Sequence, residues 1–348
     1  MAIDLPKGAL ASLKTAWRER RLVPFLGAGI SAPYGLPQWT DLVMRILIDE
    51  SWQEFDDYWK NYQTPLAVWM TENFDFGLES LARFAKSSYA VNTGDRRRQS
   101  FNDYVGRQLY EKVPPQPPLA RATTLTAVAD LIQVSEQLAG GRAVPAVVTL
   151  NFDDLLEREL ETREIGVEAV FDGRRRHASR LPVVHAHGFL PRGQRAPPSD
   201  LIFTEDDYNR FALQTIHWAQ VDLLGFLRNS TALFIGMSMA DTNLRRLLDA
   251  TSNGRCNHYV VRKRFTLSSG ERTVAARRIH QRAMTGLKPA ERKKMQRHAQ
   301  GLEGAIERML RMAANIDTQL LREMGVSTIW IDDFSEIADL LTRIPTRA

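Results

Sequence analysis

A single cysteine, Cys256, stands among 348 residues. That scarcity excludes an internal disulfide framework and a zinc site built from four cysteines of this chain. It also suits a reducing compartment such as the cytoplasm. Long apolar runs are missing as well. No stretch approaches the roughly 20 apolar residues of a membrane span. Met1 to Trp17 is amphipathic and broken by charge, without the apolar h-region of a secretory signal. The expectation is a cytoplasmic protein that stays off the membrane. No internal repeat, DNA-binding motif or acidic cluster of the nuclease kind is visible. The net charge of +5 is too small over this length to demand nucleic acid. What is present is 44% hydrophobic and 25% charged residues, the balance of a globular protein with room for one elaborated α/β domain or two.

Short apolar runs recur along the chain, each followed by a helical pattern. After a helix over 8–20, Leu22–Leu26 reads as a buried strand running into the tight turn Gly27-Ala28-Gly29, with Ser31 placed to cap the next helix and Pro33 in its first turn. Ala146–Leu150, Val183–Gly188, Ala232–Gly236, His258–Val261 and Thr328–Ile331 read as further strands. Helices are expected over 119–139, 154–164, 205–228, 242–250 and 335–343, with a short extended piece at Leu201–Thr204. Apolar strands alternating with helices predict an α/β fold, a Rossmann-like and mainly parallel sheet with helices on both faces. Residues 1–40, 145–261 and 326–348 form the core of a single elaborated domain in this reading. A helical insertion, 41–144, follows the glycine-rich loop. It carries Trp52, Phe55, Tyr58, Trp59, Trp69, Phe74 and Phe76, then a break at Pro114, Pro115, Pro117 and Pro118. Residues 262–325 form a basic helical segment. From Arg262 to Arg297 twelve Lys or Arg face two Glu, and Phe265 is the one aromatic. Base stacking is not expected there, so contact with nucleic acid would be indirect and salt-sensitive. The stretch is either a solvated helical face or a docking surface for an acidic partner.

Four strand ends carry polar or glycine residues. Gly27 and Gly29 let the backbone turn and approach a phosphate without a Cβ in the way, although a bare structural turn explains this pair equally well and the third glycine of the dinucleotide fingerprint is missing. Asn151 and Asp153 follow the second strand, where an open α/β sheet binds ligands; both residue types also serve as helix caps. His187 and Gly188 end the third strand. His185, two residues earlier, is expected to point to the opposite face, which argues against a shared metal site. Gly236 and Ser238, with Asp241, end the fourth, and a turn plus a cap is the plain reading.

Taken in order, Gly27-Ala28-Gly29-Ile30-Ser31, Gly35-Leu36-Pro37-Gln38-Trp39, Thr149-Leu150-Asn151-Phe152-Asp153, His185-Ala186-His187-Gly188 and Gly236-Met237-Ser238 resemble the sirtuin family. The wording is closest to bacterial sirtuin-like proteins of antiphage defence, over roughly 21–40, 145–260 and 326–345. The resemblance implies that Gly27, Ala28, Gly29 and Ser31 hold the NAD pyrophosphate and adjoining ribose. Asn151 would lie by the nicotinamide ribose and position the attacking water, Asp153 would contact the carboxamide, and His187 would be the general base. Gly236 and Ser238 would bind the adenosine side. Sirtuin deacetylases carry a four-cysteine zinc module and an Asp-Phe-Arg element. This chain has one cysteine and Gln38-Trp39, so no zinc is expected, and deacylation of a peptide is the weaker reading.

The expectation is therefore an NAD hydrolase that releases nicotinamide and ADP-ribose as a defence effector, with NAD as substrate. A non-catalytic module that senses NAD or ADP-ribose and an NAD-dependent protein deacylase are the alternatives. A constitutively active effector would be toxic, which implies control by homo-oligomeric assembly, a lid or a partner. With most of the length taken by the catalytic domain, a separate partner is expected. The resemblance names two kinds, a HerA-like ATPase and a short Argonaute.

Overall fold

In the computed structural model, residues 3–51, 65, 69, 78–93, 100–111, 113, 123–197, 200–214, 217–252, 257–285, 288, 291 and 301–346 are described. The element order is α1 (Ala9–Arg18), β1 (Leu22–Leu26), two 3₁₀ turns (Ala28–Ile30 and Ala32–Tyr34), α2 (Trp39–Ser51), α3 (Leu78–Thr93), α4 (Phe101–Tyr110), α5 (Thr124–Glu136), β2 (Val147–Thr149), α6 (Leu155–Glu161), β3 (Val167–Val170), β4 (Leu181–His185), α7 (Glu205–Leu213), α8 (Trp218–Asn229), β5 (Thr231–Ile235), α9 (Thr242–Thr251), β6 (His258–Lys263), α10 (Ser269–Met284), α11 (Leu302–Glu323), β7 (Val326–Ile331) and α12 (Glu336–Thr342).

The strands form one seven-stranded sheet in the order β3-β4-β2-β1-β5-β6-β7, and every neighbouring pair is parallel. The period-2 alternation of side chains divides the core in two. Leu22, Leu26, Val183, Leu233 and Ile235 face one way and pack with α1 to α6 and α12. Val23, Phe25, Val184, Ala232 and Phe234 face the other way and pack with α7, α8, α9 and the end of α11. Both faces are covered, which is why the strands read as continuous apolar runs. The chain leaves β1 toward β2 on one side and returns to β5 on the other. That reversal opens the crevice in which such sheets receive ligands.

The structure departs from the sequence reading at several places. A seventh strand, Val167–Val170, lies at the sheet edge beside β4. The single helix expected over 205–228 is two, because the His217 ring accepts the Ala219 N–H at 3.3 Å and starts α8 afresh. The helix expected over 119–139 runs Thr124–Glu136, begun by a capping box between Thr123 and Thr126. The glycine-rich loop runs into the two 3₁₀ turns and not into a long helix, and the Ser31 hydroxyl makes no cap bond. Within the helical insertion the buried faces of α2 to α5 join the β1-side core directly. Trp69 is half exposed, while Trp52, Phe55, Tyr58, Trp59, Phe74, Phe76, the four prolines and Cys256 lie outside the described residues.

Candidate active site

The carboxyl ends of β4, β2, β1 and β5 are consecutive across the sheet. They bring His187, Asn151 with Asp153, the Gly27–Ser31 loop and the Gly236–Asp241 turn to one edge. The two glycine turns are laced together: Gly27 N–H donates to the Ile235 carbonyl at 3.0 Å and Gly29 N–H to the Gly236 carbonyl at 2.9 Å. A Cβ on Gly29 would stand 2.8 Å from Gly236 Cα, and one on Gly27 2.6 Å from Met237 Cγ and 2.7 Å from the Gly236 carbonyl. The glycines are thus required by loop-to-loop packing. Gly29 keeps its other side exposed and Ala28 is half-buried, so backbone remains open there to a ligand. Ser238 is exposed at the rim, its carbonyl held by Arg262.

A polar cluster sits beneath this loop. The buried Ser31 hydroxyl donates to Asp153 Oδ2 at 2.9 Å and accepts from Asn151 Nδ2 at 3.2 Å. The other Asp153 oxygen accepts the Leu155 N–H at 3.2 Å. Asp153 thus joins the first turn of α6, whose N-cap is Asp154, to the glycine-rich loop through Ser31. Burial pushes its carboxyl up to about 6, against the pull of the Ser31 and Leu155 hydrogen bonds; Glu157 raises it further and His185 lowers it. Asn151 N–H donates to Thr149 Oγ1 at 3.0 Å, which fixes the turn out of β2.

The two histidines of β4 and its exit differ in environment. His185 faces the β1-side helices and is fully buried, with Nε2 2.5 Å from Glu157 Oε1 and Nδ1 3.1 Å from the Asn151 carbonyl. Burial acts to lower its pKa, but the charge and hydrogen bond of Glu157, with the Asn151 carbonyl, outweigh that and hold it above the ordinary value. His185 thus bridges the Glu157 carboxylate and the backbone carbonyl of Asn151 through its two ring nitrogens. Sequence reading placed it on the face opposite His187, but residues two apart on a strand share a face; the two separate because β4 ends at His185 and His187 lies in the turn beyond it. His187 is buried too, and burial holds its imidazole below the ordinary value despite the Asp241 charge. It stays neutral near pH 7, the state a base requires. Gly188 follows at φ 106°, where a Cβ would meet the Asp200 carbonyl at 2.8 Å. The His187 carbonyl accepts from Ile202 N–H at 2.8 Å, which ties the extended piece 201–204 behind the site.

Among the described residues no group of three or more His, Cys, Asp or Glu is placed to hold a metal ion, and no helix is long and apolar enough to cross a membrane. The arrangement offers a neutral imidazole, an amide, a hydroxyl and a carboxyl of raised pKa around exposed glycine backbone.

Among curated proteins, the chain is similar to a protein of Sinorhizobium fredii (strain NBRC 101917 / NGR234), described as Uncharacterized protein y4cA. The two are 26% identical over 259 residues, which cover 72% of this chain and 19% of that protein. The chain thus spans about a fifth of that relative's length. Residues 145–285, from the start of β2 through α10, match the family model described as SIR2-like domain. That stretch contains Asn151, Asp153, His187, Gly236 and Ser238 but not the Gly27–Ser31 loop, and an NAD-related role is what this likeness supports.

Proposed function

We propose that the chain hydrolyses NAD to nicotinamide and ADP-ribose. The observation that carries this reading is the gathering at adjoining strand ends of a neutral, buried His187 with Asn151 and Asp153, all within the stretch that matches a SIR2-like domain, and with Ser31 hydrogen-bonded to the last two. In the reaction the bond between the ribose C1′ and the nicotinamide nitrogen breaks, and its electron pair leaves with nicotinamide. Water adds its oxygen to C1′, and its proton passes to a base. The sugar becomes cation-like as the bond breaks, so preorganised dipoles and a base beside the ribose lower the barrier. Asn151, its carbonyl gripped by His185 and its amide by Ser31, is held rigidly enough to orient the water. His187 takes the proton. The exposed backbone of Gly29 and the half-buried Ala28 face the pyrophosphate, with Ser31 beside the adjoining ribose. Asp153, with a pKa pushed to about 6, faces the carboxamide as hydrogen-bond partner.

The same reading extends to an antiphage effector that depletes NAD and is held in check by assembly or by a separate partner. The test is NAD turnover by the purified chain, with nicotinamide and ADP-ribose both quantified, beside Asn151→Ala and His187→Ala. The expected result is equimolar products from the wild type and a loss on the order of 10²-fold or more in each variant. NAD bound but not consumed, with or without a HerA-like ATPase or short Argonaute added, would leave a sensor in place of an enzyme.

A further inference from the structure

Asp241 reads in the sequence as the end of a turn and the cap of a helix. A cap needs one acceptor oxygen and no charge. Asp241 Oδ1 meets that need alone, accepting the Leu244 N–H at 2.7 Å at the start of α9. The second oxygen, Oδ2, points elsewhere: it lies 3.4 Å from His187 Nε2, with both side chains almost sealed from solvent, 7% exposed for His187 and 11% for Asp241. Tyr208, from α7, completes the group. Its hydroxyl hydrogen-bonds Asp241, and its ring meets the His187 ring edge to face at 5.6 Å between centroids. The Phe211 ring closes the same side at 6.5 Å.

The backbone goes out of its way to build this contact. His187 leaves β4 and Asp241 leaves β5, with β2 and β1 between them. At about 4.8 Å per strand the turn must travel sideways by roughly 14 Å. It does so through two left-handed residues, Gly236 at φ 68° and Met239 at φ 57°. A non-glycine residue at such a φ costs on the order of 1 kcal/mol, and Met239 is buried as well. Its strain is held where it delivers a carboxylate to the histidine.

We infer that Asp241 is the positioning residue for His187: its carboxylate, steadied by Tyr208 and the first turn of α9, sets the imidazole with the proton on Nε2 and the lone pair on Nδ1, which takes the proton from water. Among the described residues the Asp241 carboxylate is the charged group beside Nε2, at 3.4 Å, and no hydrogen bond holds Nδ1. The charged group facing His187 is Asp241; Tyr208 faces both, and Glu79 of α3 acts on Tyr208 through its charge. The assignment rests on the NAD-hydrolysis reading for the reaction it serves, though the contact can be read without it.

Asp241→Asn is the informative variant, since asparagine caps a helix as well as aspartate does and the fold stays intact. In it kcat for NAD falls on the order of 10²-fold, KM changes little, and the acid limb of the kcat profile moves about one pH unit lower because the imidazole has lost its anion. Tyr208→Phe moves kcat in the same direction by less. A second readout needs no NAD: the His187 ring resonance, assigned by its loss in His187→Gln, titrates at lower pH in Asp241→Asn than in the wild type. An unmoved His187 titration, or wild-type kcat with an unmoved acid limb, overturns the assignment. A wild type that releases no nicotinamide at any pH, together with a shifted His187 titration, overturns the hydrolase reading and leaves the pair standing.

Discussion

Replacing Asp153 by asparagine should stabilise the protein at neutral pH while it removes function. The carboxyl is buried and its pKa is pushed up to about 6, against 3.8 for an aspartate in water. The native state therefore prefers the protonated form more strongly than the unfolded chain does. Below pH 3.8 both states are protonated and the shift contributes nothing to the pH dependence. As pH rises toward 6 the unfolded chain ionises freely and the native one resists. Above 6 the native state bears the full difference, about two pKa units or about 3 kcal/mol at 1.36 kcal/mol per unit. Asparagine has the same shape and no charge to bury. Its carbonyl can keep the Leu155 N–H, and its amide can donate to Ser31 Oγ, which today donates to Asp153 Oδ2. Exchange of two bonds to an anion for two neutral ones takes back part of the gain, so a net stabilisation of about 1–3 kcal/mol is expected above pH 7. The assay is urea unfolding of both proteins at pH 4, 5.5 and 7.5. The gain should be near zero at pH 4 and largest at pH 7.5, while NAD turnover is lost. A gain that does not vary with pH, or a loss of stability that is greatest at pH 7.5, would refute the reasoning.

Gly29→Ala puts a Cβ 2.8 Å from Gly236 Cα and 2.9 Å from its carbonyl, backbone that cannot swing aside; it should lower stability by about 1–3 kcal/mol and abolish NAD binding by calorimetry, whereas unchanged stability would mean the two loops part freely. Glu157→Gln removes the anion 2.5 Å from the buried His185 ring and should cost about 3–5 kcal/mol in chemical denaturation. Because the folded His185 pKa is raised, its stabilisation is complete below the unfolded value of about 6.5 and is lost as pH rises through the folded value, so the penalty should be greatest at pH 6 and smaller at pH 9.

The strands legible in the sequence were those buried on both faces. Thr231–Ile235 and Leu22–Leu26 are covered by helices above and below and flanked by strands on each side, so every position is buried and the run is continuous. Val167–Val170 escaped because it is an edge strand four residues long with Glu168 in it. That glutamate accepts the backbone N–H groups of Arg176 and His177, a local use that looks like loop chemistry. The break between α7 and α8 escaped for another reason. No Gly or Pro marks Gln214 to His217, and the cap is a histidine ring, a residue type outside the usual N-cap set. The helix expected after the glycine-rich loop failed where local pattern met tertiary demand: Ser31 and Pro33 look like a helix start, but the Ser31 hydroxyl is drawn to Asp153, 122 residues away in sequence.

The candidate site shows the same limit more sharply. Asn151, Asp153, His187 and the glycines could be named because strand ends are where α/β sheets do chemistry, a rule that needs only the strand positions. What makes His185 and His187 different could not be named from the strand, since both are histidines on one short apolar run. Two residues apart on one strand would share a face, but β4 ends at His185 and the chain turns beyond it, so one side chain meets Glu157 of α6 and the other lies by Asp241 of α9. The carboxylates differ in reach: Glu157, at 2.5 Å, raises the pKa of His185, while Asp241, at 3.4 Å, does not outweigh the burial that lowers that of His187. A base must be neutral and a clamp on a backbone carbonyl must donate, so the two environments divide the work between two residues of the same kind. That division is set by the crossing of the 236–241 turn over β1 and β2 and by the docking of α6 behind β4. Neither is written in any local window of the sequence.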